Sequence, residues 1–368
     1  MATERVLIKD LDDLVLRAMR NLGYPEDEAQ VLTEVMMHAE IHNNNQGISK
    51  LYDVNAPGGL KYNHDAGPLL VERESAVGAV VNGNQRSGMS ALSKAVDLAV
   101  VKATAKGGPR VAVVGTYNTC TSTGMLAYYA AKLGEAGLVG IVLAQSPELV
   151  APSGGSKPVF GTNPICVAVP GPEDGPLVLD MATAAMTLFG LITAKANSQP
   201  LPVGCAIGSN GEPTTDPDEA LKGALLTFGG HKGSGLSLIV ELLGGVLPGA
   251  AFPGDEAMTV FPQMGKRTKK QAKNWGNTVI AFDPEILMDR GEFARRVRVT
   301  LGAVKASGPS VRLPGETEKM HRAANEASGA LNVSVALLGK IREIASATAP
   351  PAAAGIGTQA HSLQRSRL

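Results

Sequence analysis

Two β-branched segments flank a helical stretch in the first half of the chain, and this alternation constrains the fold more than any other feature. The segment RVAVVGTYN at 110–118 is typical of a strand ending in a glycine turn, and GLVGIVLAQS at 137–146 predicts another strand. Between them, apolar residues at helical spacing predict a helix at about 124–136. Strand–helix–strand order predicts a fold of the α/β class.

Helices are also predicted towards both ends of the chain. Asp10 or Asp12 can cap a first helix, and Pro25 begins a second one that ends near His42. The remaining expected elements are helices at about 88–106, 184–197, 290–306 and 316–345, a helix after the glycine loop at 229–235, and strands in ICVAVP, PLVLDMAT and NTVIAFDPEIL.

Composition indicates a globular protein with no bias towards nucleic acid or membranes. The 368 residues are 44% hydrophobic and 18% charged, and Lys+Arg and Asp+Glu are balanced at 34 each. Aromatic residues make up 4%, and no apolar run is long enough for a membrane span or a secretory signal. The three cysteines, Cys120, Cys166 and Cys205, lack paired metal spacing, so we expect buried thiols in a reducing compartment and no metal site.

The last three residues form a candidate targeting signal. Ser366-Arg367-Leu368 is similar to the Ser-Lys-Leu peroxisomal address and follows a Pro/Ala/Gly-rich stretch at 346–360 that can act as a flexible arm. We expect binding to a peroxisomal import receptor. The alternative is a chance tripeptide on a frayed end of a cytoplasmic protein.

The loop GGHKGSG at 229–235 is a candidate phosphate site. Glycine backbone at a helix N-terminus offers free N–H groups and the positive end of the helix dipole, and Lys232 adds charge. The spacing does not match the phosphate loop of NTPases, and the chain has no strand–GxGxxG–helix unit, so a Rossmann site is not expected. The alternative is a helix cap.

Three further loops carry polar groups after apolar segments. FGTNPICVAVP at 160–170 contains turn residues that expose backbone groups. In LDMAT at 179–183, Asp180 can accept hydrogen bonds from a ribose or cap a helix, and the sequence does not choose between the two. The small hydroxyls of YNTCTSTG at 117–124 can bind a polar substrate, although such turns are usually caps.

Taken in order, six short segments resemble the malate/L-lactate dehydrogenase family whose fold is not Rossmann. The similarity spans roughly residues 5–345 and rests on GTNP (161–164), LDMAT (179–183), GEPTTDP (211–217), GGHKGSGL (229–236), WGN (275–277) and RLPGE (312–316). The resemblance implies reversible reduction of a 2-oxo acid or a cyclic imino acid with NADH or NADPH, and the sequence does not decide between NAD and NADP. It also implies a homodimer whose active sites lie at the domain and subunit interface.

The resemblance implies a fold and a division of the chain. We expect an α/β protein in which a non-Rossmann nucleotide-binding domain has a mixed, largely antiparallel sheet. A helical substrate domain is then built from both chain ends. The expected boundaries are 1–115 with 275–345 for the helical domain, 116–274 for the cofactor domain and 346–368 for the flexible tail.

Cofactor-binding residues follow from the same resemblance. Four consecutive residues match the segment that lines the cofactor, three match the glycine loop at its phosphates, and two match a late contact near it. They are Asp180, Met181, Ala182 and Thr183; His231, Lys232 and Gly233; and Gly315 and Glu316.

The stretch EIHNNNQGISKLYD at 40–53 matches the family's catalytic loop but departs from it. The family reads Ser-His-Gly, with a basic residue shortly after, where the histidine donates a proton and the basic residue pairs with the substrate carboxylate. Here the triplet is Asn45-Gln46-Gly47 and the basic residue is Lys50. An ammonium can hold a carboxylate, whereas a glutamine amide does not titrate and can only form hydrogen bonds or polarise a carbonyl.

A second family motif, Asn-His-Phe-Gly, is replaced by NTCTSTG, so that its histidine falls on Thr121 or Ser122. Because the cofactor segments are intact, the two departures indicate changed substrate chemistry. We expect the substrate side to be formed by Asn45, Gln46, Lys50 and Ser122.

Loss of both histidines favours an iminium substrate, which needs hydride but no acid in the same step. For a ketone, the proton must come from water held by Gln46, Asn45 or Ser122, or from Lys50 with its pKa lowered by burial. His38 and His42 are expected to be structural or solvated. The rival hypothesis is a catalytically inactive dinucleotide-binding or sensing protein.

Overall fold

The computed structural model describes residues 2–55, 59–172, 174–255 and 273–347. Within these ranges the strands are β1 (Thr3–Leu7), β2 (Leu70–Glu74), β3 (Gly78–Asn82), β4 (Val111–Thr119), β5 (Val139–Ala144), β6 (Val150–Ala151), β7 (Ile165–Val169), β8 (Leu177–Met181), β9 (Ala206–Ile207), β10 (Ala224–Leu226), β11 (Trp275–Phe282) and β12 (Ala330–Ser334). The α-helices are α1 (Ile8–Asn21), α2 (Glu26–Ile41), α3 (Gly88–Thr104), α4 (Leu126–Glu135), α5 (Leu188–Ala196), α6 (Pro217–Lys222), α7 (His231–Val240), α8 (Arg290–Ala306), α9 (Glu316–Ser328) and α10 (Val335–Ser346).

A seven-stranded sheet with the order β2-β3-β4-β11-β5-β7-β8 organises the fold. Neighbouring strands β3 and β4 run parallel, and the other neighbouring pairs in this sheet are antiparallel. This arrangement confirms the expected mixed, largely antiparallel sheet, which differs from the parallel sheet of a Rossmann domain. A small sheet of β6, β10 and β9 lies beside the glycine loop.

The centre of the sheet is strand β11, which pairs with β4 on one side and β5 on the other. Its residues are almost continuously buried, as expected for a strand covered on both faces. The neighbouring strand β4 was predicted to end in a turn at Gly115, and this was wrong. A Cβ at Gly115 would lie 2.7 Å from Pro248, so glycine instead allows close packing within a strand that continues to Thr119.

Helices α3 and α4 pack against the sheet and share one core with α1 and α2. Tyr129 and Leu133 of α4 and Leu92 of α3 are buried there, together with Met36 of α2. Because one apolar cluster connects these elements, the end of α2 is held close to the start of α4.

The first and last described elements meet in space. Strands β1 and β12 form an antiparallel pair, and Arg342 of α10 forms an ion pair of 2.6 Å with Glu4. The Asn21 amide donates a hydrogen bond of 2.9 Å to the Ala345 carbonyl. The expected construction of a helical part from both chain ends is therefore confirmed.

Two local predictions were wrong. The single helix expected at about 316–345 is interrupted, because α9 ends at Gly329 in the left-handed conformation (φ +63°) and β12 follows. Neither Asp10 nor Asp12 caps α1: Leu7 is at the N-cap, since β1 runs directly into the helix, and Asp10 lies in the first turn.

The proposed division at 115/116 and 274/275 remains a prediction, and the central sheet takes strands from both sides of it. The targeting tripeptide and most of the expected flexible tail lie outside the described residues. Among the described helices, none has the length and apolar character needed to cross a membrane.

Candidate active site

The loop after α2 is folded tightly onto that helix. Asn43 adopts a left-handed conformation (φ +55°) directly after the helix end, and the Asn325 amide donates a 2.7 Å hydrogen bond to the Ile41 carbonyl. A Cβ at Gly47 would lie 2.8 Å from both the Met36 carbonyl oxygen and Glu40 Oε2. Glycine is required at position 47 because a larger residue would push the loop away from α2.

Lys50 lies on the short 3₁₀ helix Ile48–Leu51 that follows this glycine. Its ammonium donates a 2.8 Å hydrogen bond to Gln46 Oε1, and Gln46 Nε2 donates one of 3.3 Å to Asn45 Oδ1. Lys50 forms no ion pair with any residue in the described part of the chain, and burial lowers its pKa to about 8. The structure therefore joins Asn45, Gln46 and Lys50 and leaves a half-buried cation able to pair with an anion.

The hydroxyl loop 117–124 lies beside this group. A Cβ at Gly124 would be 3.8 Å from the Gln46 carbonyl oxygen, so the two predicted substrate loops are neighbours. Thr121 is buried, and its hydroxyl accepts a 3.0 Å hydrogen bond from the Gly88 N–H at the start of α3. Ser122 is half-buried in the same turn.

Asp180 connects the sheet to the hydroxyl loop. Its carboxylate, near the end of β8, accepts a 2.8 Å hydrogen bond from the Ala127 N–H in the first turn of α4. At the same helix, the Tyr129 hydroxyl donates a 2.7 Å hydrogen bond to the Thr123 carbonyl. Asp180 thus caps a helix other than the one that follows it in sequence, and burial raises its pKa to about 6.

Thr183 connects the segment 180–183 to the turn at 161–164 and to the residue just before the glycine loop. Its hydroxyl donates a 3.0 Å hydrogen bond to the Asn163 carbonyl, and its own carbonyl accepts one of 3.1 Å from the Phe228 N–H. Met181 and Ala182, just before it, are half-buried. The segment 180–183 consequently lies between the turn at 161–164 and the glycine loop.

His231 and Lys232 are exposed in the first turn of α7. A Cβ at Gly230 (φ +61°) would meet nothing within 4 Å, whereas one at Gly233 would lie 1.9 Å from the Phe228 carbonyl oxygen. The loop is thus packed on its inner side and open on its outer side. Free first-turn N–H groups and an exposed ammonium suit an anionic phosphate, so these residues fit the phosphates of a dinucleotide.

The segment around Gly315 packs against β8, the strand that carries Asp180. Gly315 (φ +73°) precedes α9, and a Cβ there would lie 2.7 Å from the Val178 carbonyl oxygen on β8. The Glu316 carboxylate accepts a 2.8 Å hydrogen bond from the Leu313 N–H and forms a 2.7 Å ion pair with Lys305. A direct contact of Glu316 with a cofactor stays a prediction.

His38 and His42 lie apart from the Gln46 and Lys50 side chains, in a cleft shared with Tyr128 and Arg322. Their rings stack with centroids 4.2 Å apart, and His42 Nδ1 donates a 2.6 Å hydrogen bond to the His38 carbonyl. Burial lowers the pKa of His38 to about 3, so that it is neutral. These contacts support the structural role expected for both histidines.

Two carboxyl groups, half-buried Glu40 and buried Glu241, were missed from sequence. Glu40 lies under the loop at Gly47 and gave no signal, because a single acid in the last turn of a helix is common. Glu241 accepts hydrogen bonds from the amides of Gln145 (2.6 Å) and Asn163 (2.7 Å) and so ties the turn at 161–164 to the end of α7. A lone acid within the apolar run LSLIVELLGG was the readable signal for it.

Comparison with known proteins places these features in a family. Residues 6–342 match the family description "Malate/L-lactate dehydrogenase". A malate/(S)-sulfolactate dehydrogenase of Methanothermus fervidus is 33% identical over 333 residues, which cover 90% of this chain and 94% of that protein. A Δ1-pyrroline-2-carboxylate reductase of Burkholderia multivorans is 34% identical over 331 residues, covering 88% and 92%.

Solved structures agree with this placement. Sulfolactate dehydrogenase from Methanocaldococcus jannaschii superposes with a TM-score of 0.79 at 29% identity, covering 93% of this chain and 96% of that one. Δ1-piperideine-2-carboxylate reductase from Pseudomonas syringae also gives 0.79, at 30% identity, with coverage of 93% and 100%.

Proposed function

Because the chain belongs to the malate/L-lactate dehydrogenase family and is therefore an oxidoreductase, we propose that it reversibly reduces a small 2-oxo acid or a cyclic 2-imino acid with NADH or NADPH. The observation that carries this proposal is the half-buried Lys50 ammonium, which has no ion-pair partner among the described residues and is bonded to Gln46, whose carbonyl lies beside the hydroxyl loop. Such a cation is suited to an anionic ligand, and its position matches the family's carboxylate-binding residue.

The relatives support a carboxylate substrate. They include sulfolactate dehydrogenases and Δ1-pyrroline-2-carboxylate reductases, so both a hydroxy-acid and an imino-acid reaction occur among proteins similar to this one. Lys50 would pair with the carboxylate as a point charge. Gln46, held by Lys50, can donate its amide N–H to a substrate oxygen or nitrogen.

We propose the cofactor-binding residues from two segments, the glycine loop and residues 180–183. His231, Lys232 and Gly233 would hold the phosphates, and the segment 180–183 would line the nicotinamide end. When bound, the nicotinamide supplies hydride to the substrate or accepts it in the reverse direction.

Proton transfer to the substrate is the step in which this protein would differ from its family. A cyclic iminium arrives protonated and needs no acid during hydride transfer, so the absence of an imidazole in the loop favours it. For a 2-oxo acid, Lys50 with its lowered pKa can donate, as can water held by Gln46, Asn45 or Ser122. The alternative, an inactive dinucleotide-binding or sensing protein, would bind cofactor without turnover.

An assay of purified protein separates these hypotheses. NADH and NADPH oxidation would be followed with 3-sulfopyruvate, oxaloacetate, pyruvate, Δ1-pyrroline-2-carboxylate and Δ1-piperideine-2-carboxylate. Cofactor binding would be measured in parallel by fluorescence. Turnover of any of these supports the enzyme, binding without turnover in either direction supports the sensing protein, and absence of binding contradicts both.

A homodimer is supported by an apolar stripe along α7 and the turns after it. Six residues spaced along one side are each 37–62% exposed: Leu238, Ile239, Leu242, Leu243, Val246 and Leu247. The segment 236–250 contains one charged residue, Glu241, and that side chain is buried. A second copy covering this stripe would bury apolar surface without burying charge, and it would lie next to the glycine loop at the start of α7.

We also propose that the protein is peroxisomal, on the basis of Ser366-Arg367-Leu368, which lie outside the described residues. The last dozen residues, fused to a fluorescent reporter, should direct it to peroxisomes. Diffuse fluorescence would reject this address.

A further inference from the structure

The short helix that carries Lys50 has no cap of its own. Gly47 occupies its N-cap position and has no side chain to accept a hydrogen bond from the first N–H groups. The Glu40 carboxylate lies against the start of this helix, and the nearby Ile48 backbone acts on its pKa against the rise that burial causes. Glu40 Oε2 also lies 2.8 Å from the position that a Gly47 Cβ would occupy, so the carboxylate covers the start of the turn.

The surroundings of Glu40 make this placement costly for the fold. The side chain is half-buried and forms no ion pair with any residue in the described ranges. Burial raises its pKa to about 7. A carboxyl group kept in such a place without a cation reduces stability, and natural sequences retain such groups chiefly where they serve a function.

The side-chain hydrogen bonds of Ser49 and Lys50 run within the loop, which is joined to α2 by the Asn44 N–H bond of 2.8 Å to the Ala39 carbonyl. Lys50 is bonded to Gln46, and the Ser49 hydroxyl donates a 2.7 Å hydrogen bond to the Asn45 carbonyl. These bonds fix the side chains relative to one another. The turn is placed on α2 by the burial of Ile48 and Leu51 in the shared core and by the Glu40 carboxylate against Gly47.

We propose that Glu40 is a positioning residue whose carboxyl oxygen, by accepting the Ile48 N–H, holds the turn that presents Gln46 and Lys50 to the substrate carboxylate. This inference rests on the proposed function for its kinetic consequence. Its structural consequence, a turn fixed on α2, can be measured without any substrate.

Three variants test it. Glu40→Met keeps the side-chain volume and removes the acceptor, and Glu40→Gln keeps an acceptor oxygen in the same place. Glu34→Met is the matched control on the same helix, because Glu34 accepts a 2.8 Å hydrogen bond from the Tyr128 hydroxyl and does not contact the loop.

Kinetics should separate the variants. We expect Glu40→Met to raise KM for the carboxylate substrate about tenfold with the Kd of NADH unchanged, since one hydrogen bond positions the group that binds it. Glu40→Gln should stay within about twofold of the wild type, as should Glu34→Met. An unchanged KM in Glu40→Met, or an equal loss in Glu40→Gln, would overturn the proposal.

Hydrogen exchange of the peptide spanning 43–52 gives the second readout in the full-length protein. Exchange should be faster in Glu40→Met and unchanged in Glu40→Gln and Glu34→Met. If the wild type turns over no substrate, the proposed function fails, but this measurement still decides the role of Glu40. Equal exchange in all four proteins would remove that role.

Discussion

The Lys50 ammonium donates a 2.8 Å hydrogen bond to the side-chain oxygen of Gln46, the residue that the motif resemblance aligns with the family's catalytic histidine. The contact joins Gln46, which differs from the family motif, to Lys50, the basic residue of the same loop. Lys50 orients the Gln46 amide so that its N–H faces away from the ammonium, and Gln46 holds the ammonium without neutralising its charge. Under the proposed function, substrate binding and substrate polarisation are coupled through this one side-chain pair.

Lys50→Ala should raise KM for a carboxylate substrate about 100-fold, because the partly desolvated cation that pairs with the carboxylate is lost. Steady-state kinetics would measure KM, and fluorescence titration the Kd of NADH, which should not change. Lys232→Ala is the reciprocal control: it should weaken cofactor binding and leave the carboxylate KM at saturating cofactor within about threefold. A Lys50→Ala enzyme with wild-type KM would remove the assigned carboxylate role.

The pH dependence should report the same ammonium. Burial lowers the pKa of Lys50 to about 8, and only the protonated form could bind the carboxylate as proposed. The value of kcat/KM should therefore fall as the pH rises through about 8, approaching a tenfold loss per pH unit above it. Lys50→Arg should remove this alkaline limb, because a guanidinium stays charged throughout the range. Persistence of the limb in Lys50→Arg would assign it to another group.

Gln46→His should restore an acid to the loop and change the substrate preference. At pH 6 to 7 we expect about a tenfold or greater rise in kcat for a 2-oxo acid, the range typical of general acid catalysis, and little change for a preformed cyclic iminium. The ratio of the two kcat values measures the effect, and Gln46→Asn provides a control that cannot titrate. Equal stimulation of both substrates would argue against a proton-transfer role at this position.

Elements with strong local periodicity were predictable from the sequence. Helices α3 and α4 and strand β11 lie where the apolar spacing indicated them, because each buries a regular face or a continuous apolar run. The break between α9 and α10 was not predictable. The residues after Gly329 form a strand only by pairing with β1. Strand order likewise depends on contacts distant in sequence.

The candidate site was predictable where neighbouring residues carry it. Gln46 and Lys50 are four positions apart, and their contact follows from the local turn. The proposed role of Glu40 depends on the loop folding back over α2 through Gly47, and Asp180 on β8 bonds to Ala127 of α4, a helix that packs against that strand. Contacts of this kind leave no local pattern. Glu40 therefore escaped the sequence analysis, and for Asp180 the sequence offered capping as one of two roles without indicating that the capped helix is α4.

Leu242→Asp should dissociate the proposed homodimer, because it places a charge at the middle of the apolar stripe on the turns after α7. The molar mass from light scattering would fall by half, and the Kd of NADH would rise if the interface supports the glycine loop. Val299→Asp is the matched control: this valine is also exposed (61%) but lies on α8. A wild-type protein that is monomeric at micromolar concentration would contradict the stripe as a dimer interface.

Gly233→Ala and Gly235→Ala form a matched pair within the first turns of α7. An added Cβ at Gly233 would lie 1.9 Å from the Phe228 carbonyl oxygen, so the backbone must shift, whereas one at Gly235 meets nothing within 4 Å. We expect Gly233→Ala to lower the free energy of unfolding by about 2 kcal/mol and to raise the Kd of NADH about tenfold or more, because the displaced loop is the proposed phosphate site. Gly235→Ala should be neutral or stabilise by up to about 1 kcal/mol, since alanine is favoured within a helix. Denaturant unfolding and fluorescence titration would measure both quantities. Equal cofactor affinity in the two variants would move the phosphate site away from this loop.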